Sequence, residues 1–116
     1  MIVEQRTYIL HPGKVKEWLK IYEEHGLEPQ RRNLGTMVGY FYAEFGQLNQ
    51  IVHMWAYKDL ADRADRRARL AADPAWQNFG KLIRGFMMTQ ENKILIPAPF
   101  SPYADAPAKA PATSAN

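Results

Sequence analysis

Between Leu48 and Trp76 the chain reads LNQIVHMWAYKDLADRADRRARLAADPAW. The segment starts with side chains that alternate between two faces, as in a β-strand. It then passes directly into a run of aspartate, arginine and alanine that is typical of an exposed helix. The pair Asp73-Pro74 predicts the start of another helix, because aspartate is a good N-cap residue and proline is tolerated in the first helical turn. This arrangement indicates an α+β domain.

The size and composition of the chain predict one globular domain. It has 116 residues, of which 47% are hydrophobic and 12% aromatic, enough to build a core. The absence of cysteine excludes disulfide bonds, thiolate metal sites and cysteine nucleophiles. The chain opens into a segment that carries Glu4 and Arg6, so neither a signal peptide nor a membrane span is expected. The cytoplasm is therefore the expected compartment.

The net charge of +3 is small and does not predict a nucleic-acid partner. The basic residues gather mainly between Arg63 and Arg69, where three aspartates each lie four residues ahead of an arginine. Charges in this arrangement neutralise each other along a helix. No pattern of stacking aromatic and basic residues accompanies them. We therefore expect binding neither to nucleic acid nor to a membrane.

Hydrophobic periodicity and turn residues divide the chain into alternating strands and helices. The predicted elements are, in order, a strand Ile2–Leu10, a helix from Val15 to Gly26, a hairpin of strands Thr36–Phe45 and Gln50–Tyr57, helices that start after Asp59 and Asp73, and a strand Thr89–Pro97. Gly26 is predicted to be the C-cap of the first helix, and Pro29 is expected to prevent its continuation. Residues 1–103 form the predicted domain, and residues 104–116, rich in alanine and proline, form a predicted flexible tail.

The order β-α-β-β-α-β predicts a ferredoxin-like fold with an antiparallel sheet. In a single chain the helices cover one face of such a sheet. The other face is predicted to carry half of an apolar and aromatic set that needs a partner. The members of this set are Tyr40, Phe41, Tyr42, Phe45, Met54, Trp55 and Tyr57. We therefore expect a homodimer in which the two sheets pack face to face.

Many spaced residues also resemble a known family. They are Glu4-Gln5-Arg6-Thr7-Tyr8, Pro12-Gly13-Lys14, Gly35, Gly39, Leu48-Asn49-Gln50, His53, Trp55, Tyr57, Arg63, Arg66, Asp73-Pro74, Trp76, Ile96-Pro97 and Phe100-Ser101-Pro102. In these positions the chain resembles the NIPSNAP family, part of the dimeric α/β-barrel group, over nearly everything except the tail. The resemblance implies a dimeric barrel with a pocket between sheet and helices. It implies no single reaction, since the group includes cofactor-independent monooxygenases, haem-handling enzymes, and small isomerases and lyases.

The side chains that could carry chemistry lie on two strands expected to be neighbours. Arg6 and Tyr8 share one face of the first strand, while His53, Trp55 and Tyr57 share one face of the third. If these faces coincide, the set could bind a phenolic, enolic or carboxylate ligand. His53 could then act as a general base, and Arg6, with Tyr8 beside it, could stabilise the anion. Further side chains are predicted to bind the substrate, namely Trp55, Tyr57, Trp18, Tyr22, Trp76 and Arg63.

Each of these residues also has a structural interpretation. His53 could be a core or interface histidine, Arg6 could form a cross-strand ion pair with Glu4, and the aromatic residues could simply pack. Arg63 could likewise be structural. No histidine and carboxylate spacing resembles a metal motif, and no glycine-rich phosphate loop occurs, so we expect neither a metal nor a cofactor. Haem binding through His53 is a lesser variant.

The sequence leaves two classes of function open. One is a small enzyme or ligand-binding barrel that binds or transforms a small apolar, aromatic or carboxylate-bearing molecule without a metal. The other is a non-catalytic dimeric interaction or structural module. A continuous cavity that contains His53, Arg6 or Tyr8 would favour the first class, and a filled core would favour the second.

Overall fold

The computed structural model of the protein describes residues 1–102. The last residue of the predicted domain, Tyr103, and the predicted tail at 104–116 lie outside them. The elements are strand β1 (Ile2–Leu10), helix α1 (Val15–Ile21), a π-helical turn (Tyr22–Gly26), helix α2 (Leu27–Leu34), strands β2 (Thr36–Tyr42) and β3 (Gln50–Tyr57), helices α3 (Leu60–Ala72) and α4 (Pro74–Leu82), and strand β4 (Met87–Leu95). The strands form one antiparallel sheet in the order β2-β3-β1-β4. The predicted α+β, ferredoxin-like fold is confirmed.

The starts of α3 and α4 depend on local side chains, and the sequence predicts both. Asp59 accepts a hydrogen bond from the backbone N–H of Asp62 at the start of α3. Asp73 accepts one from Ala75 at the start of α4, where Pro74 occupies the first turn. None of the helices within residues 1–102 has the length and apolar character needed to cross a membrane.

The predicted end of the first helix at Gly26 is wrong. The helical backbone continues through Gly26 and ends at Gly35, whose φ of 86° suits a glycine. Between α1 and α2 it widens into the π-helical turn, in which the N–H of Leu27 donates to the carbonyl of Tyr22. This wider turn offsets the hydrogen-bond register, so that Pro29 falls in the first turn of α2, where proline is tolerated.

Gly26 is needed for close packing rather than for capping. A Cβ atom there would lie 2.8 Å from Cδ1 of Tyr22 and 3.0 Å from Cδ1 of Phe79, both of them ring atoms of buried side chains. We expect Gly26→Ala to lower the free energy of unfolding by about 1–3 kcal/mol, because two buried rings must shift. Urea denaturation would measure the change.

Gly80 in α4 provides the matched control, since a Cβ atom there meets nothing within 4 Å. Gly80→Ala should raise stability by about 0.5–1 kcal/mol through helix propensity alone. If both substitutions stabilised the protein equally, the close approach of Phe79 to Gly26 would be contradicted.

The helices all pack on one face of the sheet and form two buried clusters with it. The larger cluster joins Tyr8, Leu10 and Ile51 of the sheet to Trp18, Tyr22 and Phe79 of the helical layer. The smaller cluster contains Leu34, Trp55, Tyr57 and Leu70. Opposed residues in an antiparallel sheet share a face, so the pairing of Arg6 with His53 places both on the helix side.

The outer face of the sheet is less aromatic than predicted. From the predicted set, the strand register places Phe41 and Met54 there, while Tyr40, Tyr42, Trp55 and Tyr57 share the helix-facing side. Phe45 lies in the loop after β2, which ends at Tyr42 rather than at the predicted Phe45. The prediction of half the set on the outer face is therefore wrong. Phe45 lies beyond the strand, and the pairing of β2 with β3 puts Tyr40 and Tyr42 on the same side as Trp55 and Tyr57, which alternation within each strand does not reveal.

Candidate functional site

A cavity of about 270 Å³ lies between the sheet and the helices. It is lined by Arg6, Tyr8, Trp18, Tyr22, Gln30, Tyr40, His53, Arg67, Trp76, Phe79, Gly80, Ile83 and Met87. Most of the predicted site residues are in this lining, namely Arg6, Tyr8, Trp18, Tyr22, His53 and Trp76. The side chains come from every strand and every helix of the fold, which brings distant parts of the sequence to one site.

His53 is held in one orientation by its aromatic neighbours. Its Nδ1 accepts a hydrogen bond of 2.8 Å from Nε1 of Trp55. Its ring stacks on Tyr40 with a centroid distance of 4.7 Å and meets Tyr8 edge-on at 5.1 Å. The side chain is buried, and the whole residue is 1% exposed. A histidine fixed in this way presents only one remaining nitrogen, Nε2.

The partner of Nδ1 determines the protonation of the ring. An indole N–H can only donate, so Nδ1 must be unprotonated and the neutral imidazole carries its hydrogen on Nε2. Burial lowers the pKa of His53 to about 3, and the positive charges of Arg6 and Arg67 act in the same direction. His53 is therefore a neutral hydrogen-bond donor near pH 7. Its Nε2 has no hydrogen-bond partner among residues 1–102.

Arg6 is fixed by a buried network centred on Glu4. Nη1 of Arg6 lies 3.0 Å from Oε2 of Glu4, and Nε donates to the Tyr8 hydroxyl at 2.9 Å. Glu4 also accepts hydrogen bonds from Arg63 at 2.9 and 3.0 Å and from Asn92 at 3.2 Å. Burial alone would raise the pKa of Glu4, but the hydrogen bond from Arg63 and the surrounding positive charges lower it overall. The ion pair of Arg6 with Glu4 therefore forms, within one strand rather than between two.

Aromatic side chains build the apolar wall of the cavity. The rings of Tyr22 and Tyr40 stack at 4.4 Å, and Trp18 meets Phe79 edge-on at 5.8 Å. Nε1 of Trp18 donates to the Tyr40 hydroxyl at 2.9 Å. Burial raises the pKa of both Tyr22 and Tyr40 well above the usual value, so both phenols stay neutral. The wall is thus rigid and uncharged.

The hydroxyl of Tyr22 has a fixed partner on the neighbouring helix. It donates to Oε1 of Gln30 at 2.6 Å, and Gln30 is itself buried in the lining. The bond joins the π-helical turn to α2. Gln30 is a lining residue that the sequence analysis does not predict, because nothing local distinguishes it from a surface glutamine.

Arg67 is the charged lining residue that the sequence analysis misses. It lies on α3, and its Nη1 is buried without a hydrogen-bond partner in the described part of the chain. Burial lowers the pKa of Arg67 below its usual value, and the nearby charge of Arg6 lowers it further. A signal was available in the sequence. Arg63, Arg66 and Arg69 each have an aspartate four positions earlier, whereas Arg67 has Arg63 there.

Three residues predicted to bind substrate lie outside the lining. Trp55 is buried in the smaller core cluster, from which it holds His53. Arg63 holds Glu4, which in turn holds Arg6. Tyr57 belongs to the same cluster as Trp55, and its buried hydroxyl has no partner among the residues described. Burial raises the pKa of Tyr57 to about 12, so its hydroxyl stays neutral. Trp55 and Arg63 therefore orient residues of the lining without belonging to it.

Within residues 1–102, no three histidine, cysteine, aspartate or glutamate side chains come together in a way that could hold a metal ion. His53 is surrounded instead by aromatic rings and guanidinium groups.

Comparison with solved structures finds close matches in both fold and sequence. A NIPSNAP family protein of unknown function from Agrobacterium tumefaciens superposes with a TM-score of 0.86 at 51% identity, covering 88% of this chain and 92% of that chain. An antibiotic biosynthesis monooxygenase, described as putative, from Nitrosomonas europaea superposes with a TM-score of 0.59 at 12% identity, covering 81% of this chain and 95% of that one. The second likeness shows the fold alone.

Comparison of sequences gives the same family. The NIPSNAP family model matches residues 3–102. A NipSnap homolog from Dictyostelium discoideum is 36% identical over 94 residues, which make up 81% of this chain and 41% of that protein. A NipSnap homolog 2 from Mus musculus is 32% identical over 101 residues, or 87% of this chain and 35% of that protein. The chain thus spans less than half the length of these relatives. By sequence and by fold, it belongs to the NIPSNAP family.

Proposed function

We propose that this NIPSNAP-family chain binds a small, mostly aromatic or apolar molecule in the cavity between sheet and helices, without a metal. The observation that carries the proposal is the cavity of about 270 Å³ whose lining includes His53, Arg6 and Tyr8. An apolar cavity of about 150 Å³ is enough to hold benzene. A cavity of this size therefore suits one ring with a short polar substituent.

The character of the lining supports this choice of ligand. Most of the wall is aromatic or aliphatic, and Arg6, Tyr8, His53 and Arg67 form a group of neighbouring polar side chains, which we call the polar end of the cavity. Of these, Arg6, Tyr8 and His53 are already oriented by hydrogen bonds within the protein, so little ordering is needed on binding. A purely structural module would gain more stability by filling this space with side chains.

The tautomer of His53 changes the role that we propose for it. A general base would need a free lone pair on Nε2, but that nitrogen carries the hydrogen when Nδ1 accepts from Trp55. We therefore propose that His53 donates a hydrogen bond to the ligand, as neutral histidines do when they polarise a carbonyl group. Arg6 and Tyr8 would act beside it. If a reaction takes place, these donors would stabilise a developing oxyanion.

We further propose that the chain works as a homodimer through the outer face of its sheet. The helices cover the other face. The outer face carries Phe41, which is 53% exposed, together with Val52, Met54 and Leu95 by strand register. These apolar side chains would be buried by a second sheet. The cytoplasm remains the predicted compartment.

A substitution that fills the cavity would test the binding proposal. Gly80 lines the cavity, and its Cβ position is open, so Gly80→Trp should block the space while the fold is retained. Asn78→Trp, at an exposed position of the same helix, is the matched control. Ligand-observed NMR with a mixture of single-ring aromatic compounds would detect binding, and native mass spectra would report subunit number and any retained molecule.

The expected result is a dimer that binds ring compounds in the wild type and in Asn78→Trp, but not in Gly80→Trp. Binding that survives in Gly80→Trp would place the ligand elsewhere and contradict the proposal. A dimer that binds no compound of the mixture would favour the alternative function, a non-catalytic dimeric interaction module. A monomer would contradict the proposed dimer.

A further inference from the structure

We infer that the ligand carries an anionic oxygen, such as a carboxylate or phenolate, and that Arg67 together with Nε2 of His53 binds it. The inference rests on the proposed function and names the class of ligand for the same cavity. The polar end of the cavity has unpartnered hydrogen-bond donors in His53 and Arg67, as far as residues 1–102 are concerned, and the guanidinium groups of Arg6 and Arg67 give it positive charge.

The polar end of the cavity offers mainly donors. The lone pair on Nδ1 of His53 is occupied by Trp55, and the remaining nitrogen, Nε2, donates. The hydroxyl of Tyr8 accepts from Arg6 and keeps its own hydrogen to donate. Arg67 has only donors, and its Nη1 is unpartnered among residues 1–102. A ligand group that satisfies His53 and Arg67 together must be an acceptor.

The surrounding charges select an anionic acceptor over a neutral one. Within the described part of the chain, the lining includes the guanidinium groups of Arg6 and Arg67 but no aspartate or glutamate. The carboxylate paired with Arg6, that of Glu4, is also bound by Arg63 and Asn92. Positive charge therefore exceeds negative charge at this end of the cavity. In a buried site such an excess attracts anions more strongly than it would in water.

The charge of Arg67 is only partly balanced within the fold. Its Nη1 is buried without a hydrogen-bond partner among residues 1–102, and the charge of Arg6 opposes its own, while Glu4 attracts it. A buried unpaired donor and a like-charge neighbour both reduce stability. Unfavourable arrangements of this kind are typical of binding sites, where a ligand relieves them. An oxyanion between Arg67 and His53 would satisfy both unpartnered donors.

Isothermal titration calorimetry with three probes that share a ring would test the inference. The probes are benzoate, benzyl alcohol and benzylamine, which are anionic, neutral and cationic at pH 7. We expect benzoate to bind at least about tenfold more tightly than benzyl alcohol, because hydrogen bonds to charged groups are the stronger ones. Benzylamine should bind more weakly than both.

Two variants of α3 complete the design. Arg67→Met should lose most of the advantage of benzoate over benzyl alcohol, because it removes the positive charge to which the two probes respond differently. Arg69→Met, which removes the same charge from an exposed position of the helix, should bind all probes as the wild type does. Thermal denaturation provides a folding check, in which Arg67→Met should melt cooperatively near the wild-type temperature, because Nη1 of Arg67 has no hydrogen-bond partner to lose among residues 1–102.

The outcomes separate this inference from the proposed function. If the three probes bind equally, or if Arg67→Met binds benzoate as tightly as the wild type, the anion site is wrong while the ring-binding cavity stands. If no probe binds, the proposed function fails and the inference fails with it. Proton NMR gives a second readout for His53, since its Nε2–H resonance should shift on addition of benzoate and not on addition of benzylamine.

Discussion

Replacing Glu4 by glutamine is expected to lower the free energy of unfolding by about 3–5 kcal/mol, one of the largest effects of any single substitution in this protein. The Glu4 side chain is fully buried, and it forms ion pairs with Arg6 at 3.0 Å and with Arg63 at 2.9 Å. Removing its charge leaves guanidinium groups without a counter-charge in a buried environment. Urea denaturation at pH 7 would measure the loss.

The matched control is Glu91→Gln, because Glu91 is an exposed carboxylate on the neighbouring strand β4. It should change stability by no more than about 0.5 kcal/mol. A second substitution tests the cause. If repulsion among arginines dominates, adding Arg67→Met to Glu4→Gln should restore part of the loss, with a coupling energy of about 1 kcal/mol or more. A Glu4→Gln protein as stable as the wild type would show that this carboxylate does not hold the network together.

Most of the fold could be predicted from the sequence because its signals are local. Alternation of side chains predicts β1 and β3 with the bounds that the structure gives, and the N-caps of α3 and α4 depend on Asp59 and Asp73 alone. The ends of strands depend less on local sequence and more on pairing with other strands. Strand β4 spans Met87–Leu95 rather than the predicted Thr89–Pro97, since its ends depend on pairing with β1.

The passage of the helix through Gly26 could not be predicted, because the reason for the glycine lies far along the chain. A glycine near a helical end, followed by a proline, is the usual signature of a C-cap. Here the glycine makes room for Phe79 of α4, a contact that exists only in the folded protein. The π-helical turn then removes the conflict with Pro29.

The candidate site could be predicted in part. The sequence indicates its sheet residues Arg6, Tyr8 and His53 and several helical aromatic residues, but not its helical polar residues Gln30 and Arg67. Alternation along β1 and β3 assigns Arg6, Tyr8 and His53 each to one face of its strand. Only the register between the two strands, which shows that these faces coincide, could not be predicted. Arg67 has no such pattern, since a helical arginine within a charged run is usually solvated. Only its lack of an aspartate four residues earlier distinguishes Arg67 from the other arginines of the run. This feature indicates that its charge has no ion-pair partner on the helix, but it does not indicate that the side chain lines a cavity.

Acid is expected to destabilise the protein through His53, by about 2 kcal/mol between pH 7 and pH 5. The pKa of His53 is about 3 in the folded protein, against an ordinary value of 6.5. Between these values the unfolded chain binds a proton that the folded protein does not. The contribution of neutral His53 to the free energy of unfolding is therefore fully present above pH 6.5. It falls by about 1.4 kcal/mol for each pH unit below that value, down to the folded pKa of about 3.

His53→Gln is the variant that isolates this effect, because an amide can accept from Trp55 and donate to the cavity but does not titrate. The loss of unfolding free energy between pH 7 and pH 5, measured with urea, should be smaller than in the wild type by about 2 kcal/mol. His11→Gln, at an exposed histidine in the turn after β1, should keep the wild-type loss. Equal losses in wild type and His53→Gln would contradict the buried, Trp55-bound imidazole.

The sensitivity to acid and the proposed binding role have the same origin. The Trp55 hydrogen bond fixes the hydrogen of His53 on Nε2, and burial beside Arg6 and Arg67 keeps a second proton from binding. A histidine in this state can donate to an oxyanion over the whole neutral range without changing its charge. Any substitution that raised its pKa toward 6.5 would reduce the acid destabilisation. It would also make the donor's charge depend on pH, so the two properties should change together.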